Sequence, residues 1–225
     1  MLSIVLNIQG RRVLVVGAGP VGQRKVHSLL RHGASVIWVA PDARYVAEAP
    51  PAEPNLAQTD DARGELELRR REYQASDVDG CDPVFAATDD RQLNAQIAAD
   101  ARRSGAWVNA ADQPDDCDFY MPAVHEAGRV SVAVSTQGAA PGLAAMIRDE
   151  LANALPQDLP AFADALATLR DELRPMLDET SKRGAIMKQL SSREGLELFG
   201  RGSVDALRRQ MHNLVSEHRP TRPQG

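Results

Sequence analysis

The stretch that decides the fold is residues 12–33, RVLVVGAGPVGQRKVHSLLRHG. It begins with a short run of aliphatic residues that ends in glycines. Apolar residues at helical spacing follow, and this pattern ends at Gly33. The apolar positions are Val21, Val26, Leu29 and Leu30. This pattern predicts a strand, a tight turn and a helix. SVIWVAP, residues 35–41, predicts a second strand, so the chain begins with a right-handed βαβ unit.

The same alternation continues along the chain as far as about residue 113. Residues 66–74, LELRRREYQ, predict an edge strand, and PVFAAT, residues 83–88, predicts a short buried strand. A capped amphipathic helix over residues 89–105 leads to another strand, AWVNAA, at residues 106–111. Residues 50–64 are rich in Pro, Ala and Asp and predict a loop. Strands alternating with helices predict an α/β fold with a Rossmann-like, doubly wound parallel sheet.

The second half of the chain has a different pattern. RVSVAVST, residues 129–136, alternates like a strand of a second, smaller sheet, and residues 140–155 predict a helix. Three further helical segments follow, at residues 159–177, 182–200 and 203–218. The predicted domains are a nucleotide-binding domain (1–113), a small α+β dimerisation and substrate region (114–147), a helical domain (148–218) and a disordered tail (219–225).

Composition limits the classes of function. A formal net charge of −5 argues against a general nucleic-acid binder, and the basic pairs Arg24–Lys25 and Arg102–Arg103 suit solvated helix faces. Two cysteines fit a reducing compartment, and no segment approaches the length of a membrane span, so we expect a cytoplasmic protein without a membrane partner. The five histidines form no metal-ligand cluster, and no bound metal is expected.

The segment GAGPVG matches G-x-G-x-x-G at Gly17, Gly19 and Gly22, directly after a strand and at the start of a helix. Gly17 permits the turn, Gly19 lets the backbone approach a pyrophosphate, and Gly22 lets helix and strand pack closely. A dinucleotide site is the favoured interpretation, and the alternative is a glycine turn that binds nothing. Ala40 occupies the place of the usual ribose-binding acid, and the nearest arginine is Arg44, so NAD is favoured over NADP.

Four segments in this order and spacing resemble the siroheme synthase N-terminal family, that is, precorrin-2 dehydrogenase with or without sirohydrochlorin ferrochelatase. They are GAGPVGQRKVHSLLRHGA, FAATDDRQLNAQIA, VNAADQPDDCDFYMPA and VSVAVSTQGAAPGLAAMIRDEL. The resemblance covers residues 5–155 strongly. It implies NAD-dependent oxidation of precorrin-2 to sirohydrochlorin, followed in some members by Fe(II) insertion, which leaves open whether iron is a second substrate here. It also implies a homodimer in which the middle sheet and C-terminal helices are exchanged.

The resemblance also implies roles for individual residues. The family's key aspartate falls on Asp112, with Asn109 beside it. Other positions implied to hold the dinucleotide are Pro20, Val21, Pro41, Asp42, Ala87 and Thr88, together with the three glycines. Those implied to contact the tetrapyrrole are Asn109, Ser135, Thr136, Gly138 and Arg148. Two positions depart from the family pattern: Ala140 replaces a common Ser, and Ala145 replaces a frequent Arg.

Asp112 lies in an acidic stretch with Asp115, Asp116 and Asp118. A carboxylate at the C-terminal end of a parallel strand is placed where such folds bind ligands, and it could act as a base in an oxidation that releases a hydride and a proton. The alternative is a turn residue, which is the role expected of the other three aspartates. A different class of function, a non-catalytic dinucleotide-sensing module, would need the glycine turn but not Asp112.

Overall fold

A computed structural model describes residues 1–43 and 64–218. Five strands form one parallel sheet in the order β3-β2-β1-β4-β5. They are β1 (Arg12–Val16), β2 (Ser35–Val39), β3 (Glu65–Arg69), β4 (Val84–Ala86) and β5 (Val108–Ala110). The prediction of a doubly wound parallel sheet is confirmed, and β3 is an edge strand as expected. The predicted loop (residues 50–64, apart from Gly64) and the predicted disordered tail (219–225) lie outside the described residues.

The two faces of the sheet are covered by different helices, α1 (Pro20–Arg31) and α2 (Arg91–Arg103). Val13 and Val15 of β1 point to the face that α1 covers, and Leu14 and Val16 point to the face that α2 covers. All four valine and leucine side chains are buried because successive residues of a strand alternate between faces. This burial explains why the strand sequence is continuously apolar.

The sequence sets the start of each helix. Gly19 is the N-cap of α1 and Pro20 is its first residue, a position where the missing N–H of proline costs nothing. Asp90 caps α2, since its carboxylate accepts hydrogen bonds from the backbone N–H groups of Gln92 (2.8 Å) and Leu93 (3.1 Å). Both helices therefore begin directly after a strand, at the C-terminal edge of the sheet.

The edge strand β3 is fastened by Asp77, which lies in the short 3₁₀ turn Ala75–Val78 and is 2% exposed. Its carboxylate accepts hydrogen bonds from Arg69 (2.6 Å) and Arg71 (2.6 and 2.8 Å) and from the backbone N–H of Gln74 (2.9 Å). Burial raises the pKa of Asp77, but these hydrogen bonds more than offset it and hold the pKa at about 2.

The contacts divide the chain into two compact units, residues 1–123 with 135–144 and residues 124–134 with 145–225. The domain boundaries at 113, 147 and 218 remain predictions. α3 (Pro141–Ala154) has residues in both units. In the second unit, β7 (Val130–Val134), which was predicted, pairs with β6 (Ala123–Ala127), which was not.

The helices of the second unit are α4 (Leu159–Leu173), α5 (Thr180–Leu190) and α6 (Arg193–His218). Their buried core includes Leu169, Leu173, Ile186, Leu190, Leu207 and Met211. α6 is interrupted at Gly202 and Ser203, where the backbone is not helical. The helical C-terminal region is thus confirmed. In the part of the chain that the structure describes, no helix has the length and apolarity needed to cross a membrane.

Asp77 gives a test of the fold. Asp77→Ala should lower the free energy of unfolding by about 2 kcal/mol at pH 7, because two guanidinium groups lose their hydrogen bonds to a buried carboxylate. The wild-type contribution should be present above about pH 4 and lost as pH falls towards 2, since the folded pKa is depressed below the unfolded value. Urea denaturation at pH 7 and pH 3 measures both effects.

The matched control is Asp79→Ala, which removes an exposed carboxylate two residues away. Its denaturation midpoint should stay at the wild-type value. An equal loss of stability in the two variants would show that Asp77 does not fasten the strand.

Candidate functional site

The glycine turn is shaped by the end of β4. Gly17 has φ +113°, and a Cβ at this position would overlap the carbonyl oxygen of Ala87. A Cβ at Gly22 would overlap the carbonyl oxygen of Gly17, so the start of α1 lies directly against the turn. Glycine is therefore required at both positions on steric grounds. The indole N–H of buried Trp38 donates to the Gly17 carbonyl at 2.8 Å and so helps to hold the turn in place.

Gly19 differs from the other two glycines, because a Cβ placed there meets no atom within 4 Å. It is the N-cap of α1, and no side chain caps the helix at this end. The first N–H groups of a helix have no partner within the helix and attract anions. Open space above a glycine, in front of a helix N-terminus, fits the pyrophosphate of a dinucleotide.

The other predicted cofactor-binding residues lie at the start of α1 or follow β2 and β4. Pro20, Val21, Pro41 and Asp42 are exposed, and Pro41 and Asp42 follow β2 after Ala40. Ala87 and Thr88 follow β4, and the Thr88 hydroxyl donates to Asn94 Oδ1 at 2.7 Å. Asn94 also accepts from the Thr88 N–H (3.1 Å) and donates to the Thr88 carbonyl (3.0 Å). Sequence reasoning missed Asn94. The feature that could have indicated it is its position as a polar residue on the apolar face of α2.

Asp112 lies two residues beyond β5 and is exposed. Its backbone is left-handed (φ +56°), and its carbonyl lies 3.5 Å from Arg91 Nη2, which donates to it. Aspartate tolerates this conformation better than most residues. A left-handed backbone at a residue other than glycine marks a constrained position. The carboxylate thus stands at the same C-terminal edge of the sheet as the glycine turn.

The loop that carries Asp112 is closed by three links to β5. The Val108 N–H donates to the Asp118 carboxylate (3.0 Å), Asn109 Nδ2 donates to the Phe119 carbonyl (2.9 Å), and the Ala110 N–H donates to Cys117 Sγ (3.3 Å). Arg102 also donates to Asp118 (3.2 Å) and lies 3.6 Å from the Asp116 carboxylate. Asp118 therefore closes the base of the loop, and Asp115 and Asp116 form part of the short turn Pro114–Asp116.

Lys25 is a further residue that the sequence did not reveal. The Arg24–Lys25 pair was expected on a solvated helix face, but only Arg24 is exposed. The ammonium of Lys25 donates to Asn109 Oδ1 at 2.8 Å and lies 4.7 Å from the centre of the Phe85 ring. Burial lowers the pKa of Lys25 to about 8. The expectation of a solvated lysine was wrong because Lys25 is directed along the sheet edge towards β5.

The loop with Ser135, Thr136 and Gly138 belongs to the same unit as the glycine turn and Asp112. A Cβ at Gly138 would lie 3.2 Å from the Tyr120 ring, and the Tyr120 hydroxyl donates to the Pro114 carbonyl at 3.2 Å. The Ser135 and Thr136 hydroxyls accept backbone hydrogen bonds within the loop, both at 3.1 Å. The loop therefore packs beside the segment that carries Asp112.

Arg148 is placed differently from the other predicted residues. It belongs to the second unit, is 8% exposed, and its guanidinium donates to Asp149 at 2.9 Å. Arg129, in the same unit, pairs with Asp164 at 2.7 Å. The first unit thus brings together every predicted site residue except Arg148.

The sheet order, the glycine turn and the open N-terminus of α1 define a Rossmann-like dinucleotide-binding protein. Residues 4–123 match the family described as putative NAD(P)-binding, and residues 128–154 match the family described as sirohaem biosynthesis protein central. The chain therefore belongs to this putative NAD(P)-binding family, and its central segment is similar to sirohaem biosynthesis proteins. The predicted resemblance and the NAD(P)-type cofactor are confirmed at the level of the family.

Individual relatives agree with this assignment. The chain is 35% identical over 204 residues to a siroheme synthase of Methylococcus capsulatus, covering 91% of this chain and 41% of that protein. It is 33% identical over 216 residues to a siroheme synthase of Photorhabdus laumondii, covering 96% and 44%. The chain thus spans less than half the length of these relatives. A solved structure of SirC, precorrin-2 dehydrogenase, has the same fold (TM-score 0.67, 23% identity, coverage 96% and 100%).

Gly19→Asp should abolish NAD binding and leave the fold intact, since the new side chain enters open space and places a negative charge where the pyrophosphate approaches. Calorimetric titration with NAD and thermal denaturation measure the two outcomes. Gly17→Ala is the contrasting variant, because its Cβ overlaps backbone and should destabilise the protein. Wild-type NAD affinity in Gly19→Asp would remove the turn from the cofactor site.

Proposed function

We propose that this protein catalyses the NAD-dependent oxidation of precorrin-2 to sirohydrochlorin in siroheme biosynthesis. The observation that carries the proposal is the exposed carboxylate of Asp112, held at the same sheet edge as the open glycine turn. The similarity to siroheme synthases and to the sirohaem biosynthesis family supports it. So does the description of the structural neighbour as a precorrin-2 dehydrogenase. A cytoplasmic location fits a reaction that uses a soluble nucleotide.

The oxidation removes a hydride and a proton from the tetrapyrrole. Bound at the glycine turn, NAD would supply the hydride acceptor for this oxidation. Asp112 accepts the proton, a role that suits a solvent-accessible carboxylate. The left-handed backbone and the closed loop base hold this carboxylate in place, so little reorganisation is needed when substrate binds.

The cofactor and substrate are held by separate groups in this proposal. Gly17, Gly19 and Gly22 with the N-terminus of α1 bind the pyrophosphate. Pro20, Val21, Pro41, Asp42, Ala87 and Thr88 line the rest of the nucleotide, which we propose is NAD. Asn109, Ser135, Thr136 and Gly138 of the first unit meet the tetrapyrrole, and the role of Arg148 on a substrate carboxylate stays a prediction.

Fe(II) insertion is a second proposed activity of the same site. Iron is then a substrate, and Asp112 accepts the pyrrole N–H protons that the metal displaces. Among the described residues no cluster of histidine, cysteine or carboxylate groups is arranged to hold a metal ion. The carboxylate that serves the oxidation is therefore the group we assign to chelation.

Asp112→Asn should lower the rate of precorrin-2 oxidation about 100-fold with NAD affinity unchanged, because it removes the base and keeps a residue that accepts the left-handed backbone. Anaerobic NADH formation from enzymatically made precorrin-2 measures the rate. Iron insertion into sirohydrochlorin is followed separately by absorbance.

Asp115→Asn is the matched control, since this exposed aspartate of the same loop has no proposed chemical role. It should oxidise precorrin-2 at the wild-type rate. A wild-type rate of precorrin-2 oxidation by Asp112→Asn would show that Asp112 is only a turn residue. A wild-type protein that binds NAD but never oxidises precorrin-2 would favour the dinucleotide-sensing function.

We also propose that the protein is a homodimer. Leu143, Met146 and Leu151 of α3 are 44–50% exposed and lie within one side of the helix, an arrangement that favours burial against a second copy. The family resemblance supports the same arrangement.

Light scattering at micromolar concentration should give twice the chain mass of 24.4 kDa. Met146→Glu should shift the mass towards the monomer, because it introduces a charge into the proposed apolar contact. Gln96→Glu, on the exposed face of α2, should keep the wild-type mass. A monomeric wild type would contradict the proposal.

A further inference from the structure

Lys25 connects the helix after the glycine turn to the loop after β5. Its ammonium lies among Asn109 Oδ1 (2.8 Å), the thioether of Met121 (3.8 Å) and the face of the Phe85 ring (4.7 Å to the centroid). These groups come from β5, from the segment after the acidic stretch, and from β4. A lysine on α1 thus reaches three other parts of the sheet edge.

The position is costly for a charged group. Burial lowers the pKa of Lys25. Cys117 in the facing loop raises this pKa, and Arg24 on the same helix lowers it. Across residues 1–43 and 64–218, no carboxylate lies within ion-pairing distance of the ammonium. A partly buried ammonium without a counter-ion must gain its stabilisation from the amide oxygen and the aromatic face.

The bond to Asn109 fixes the orientation of the Asn109 side-chain amide. With Oδ1 accepting from Lys25, the amide NH₂ group points to the Phe119 carbonyl and donates to it at 2.9 Å. Residues 110–118, which include Asp112, lie between these two attachment points. A chain of two hydrogen bonds therefore runs from α1 through Asn109 to the far end of the loop.

We propose that Lys25 is a positioning residue for the oxidation, because through Asn109 it holds the loop that carries Asp112 at a fixed place relative to the dinucleotide-binding helix. This inference rests on the proposed function, and it adds a residue that touches neither the pyrophosphate turn nor Asp112 itself. Its physical basis is that a base must be held within a fraction of an ångström of the proton that it accepts. One helix then aligns both the cofactor and the base.

The test uses Lys25→Met, which keeps the alkyl chain over Phe85 and removes the ammonium. The rate constant kcat for precorrin-2 oxidation should fall about 10- to 100-fold, the scale expected for a misplaced catalytic group, with NAD affinity unchanged. Lys25→Arg should recover part of the rate because it keeps a charged donor. Arg24→Met, the adjacent exposed residue on the same helix, should match the wild type.

A pH profile separates positioning from simple packing. The wild-type rate should fall as pH rises through about 8, because neutral Lys25 is a weaker donor to Asn109. Lys25→Met should lack this alkaline limb. Burial raises the pKa of Cys117 further above this range, so its thiol does not account for the limb. A limb that persists in Lys25→Met, or a wild-type rate in that variant, would overturn the proposal.

Hydrogen exchange tests the link without any turnover. In Lys25→Met, exchange should accelerate in peptides covering residues 108–119 and stay at the wild-type rate in peptides covering α2. If the wild type fails to oxidise precorrin-2, the proposed function fails, and exchange alone then decides the link between Lys25 and the loop. Unchanged exchange in residues 108–119 would overturn that link.

Discussion

The rest of the structure depends on the contact between the glycine turn and the end of β4. The Gly17 backbone lies so close to the Ala87 carbonyl that no side chain fits between them, and Trp38 donates to the other side of the turn. β1 lies between β2 and β4, so the chain leaves it towards one side of the sheet and returns on the other. The open space at the N-terminus of α1 lies at this reversal, where ligands bind in folds of this type.

The aspartates of the acidic stretch have different surroundings, and only Asp112 has a proposed chemical role. Asp118 is tied to β5 and to Arg102, and Asp116 lies near the same arginine. Arg102 thus offsets part of the negative charge of the stretch. Asp112 is exposed and stands closest to the strand end. Asp118 and Asp116 therefore help to order the loop, and Asp112 is the aspartate with the proposed chemical role.

The sequence patterns predicted the structures that depend on interactions between residues close in the sequence. The strands, the glycine turn and the capped helix α2 were evident from residue periodicity and capping residues, because each depends on neighbours in the sequence. Lys25, Trp38 and Asn94 were not evident, because each acts on a backbone or side chain brought close only by the fold. The segment at residues 182–200, expected as one helical run, ends at Leu190 and resumes at Arg193. β6 was missed because AVHEA is short and weakly alternating.

The backbone at Asp112 restricts which amino acids can occupy that position. A φ of +56° is readily accepted by glycine, asparagine and aspartate and is strained for branched side chains. Of these three residue types, only aspartate has a side chain that can accept and release a proton. Glutamate, although chemically equivalent, would add backbone strain and carry its carboxylate one methylene further out. The conformation of a single peptide unit thus narrows the choice of residue before any demand of the chemistry is imposed.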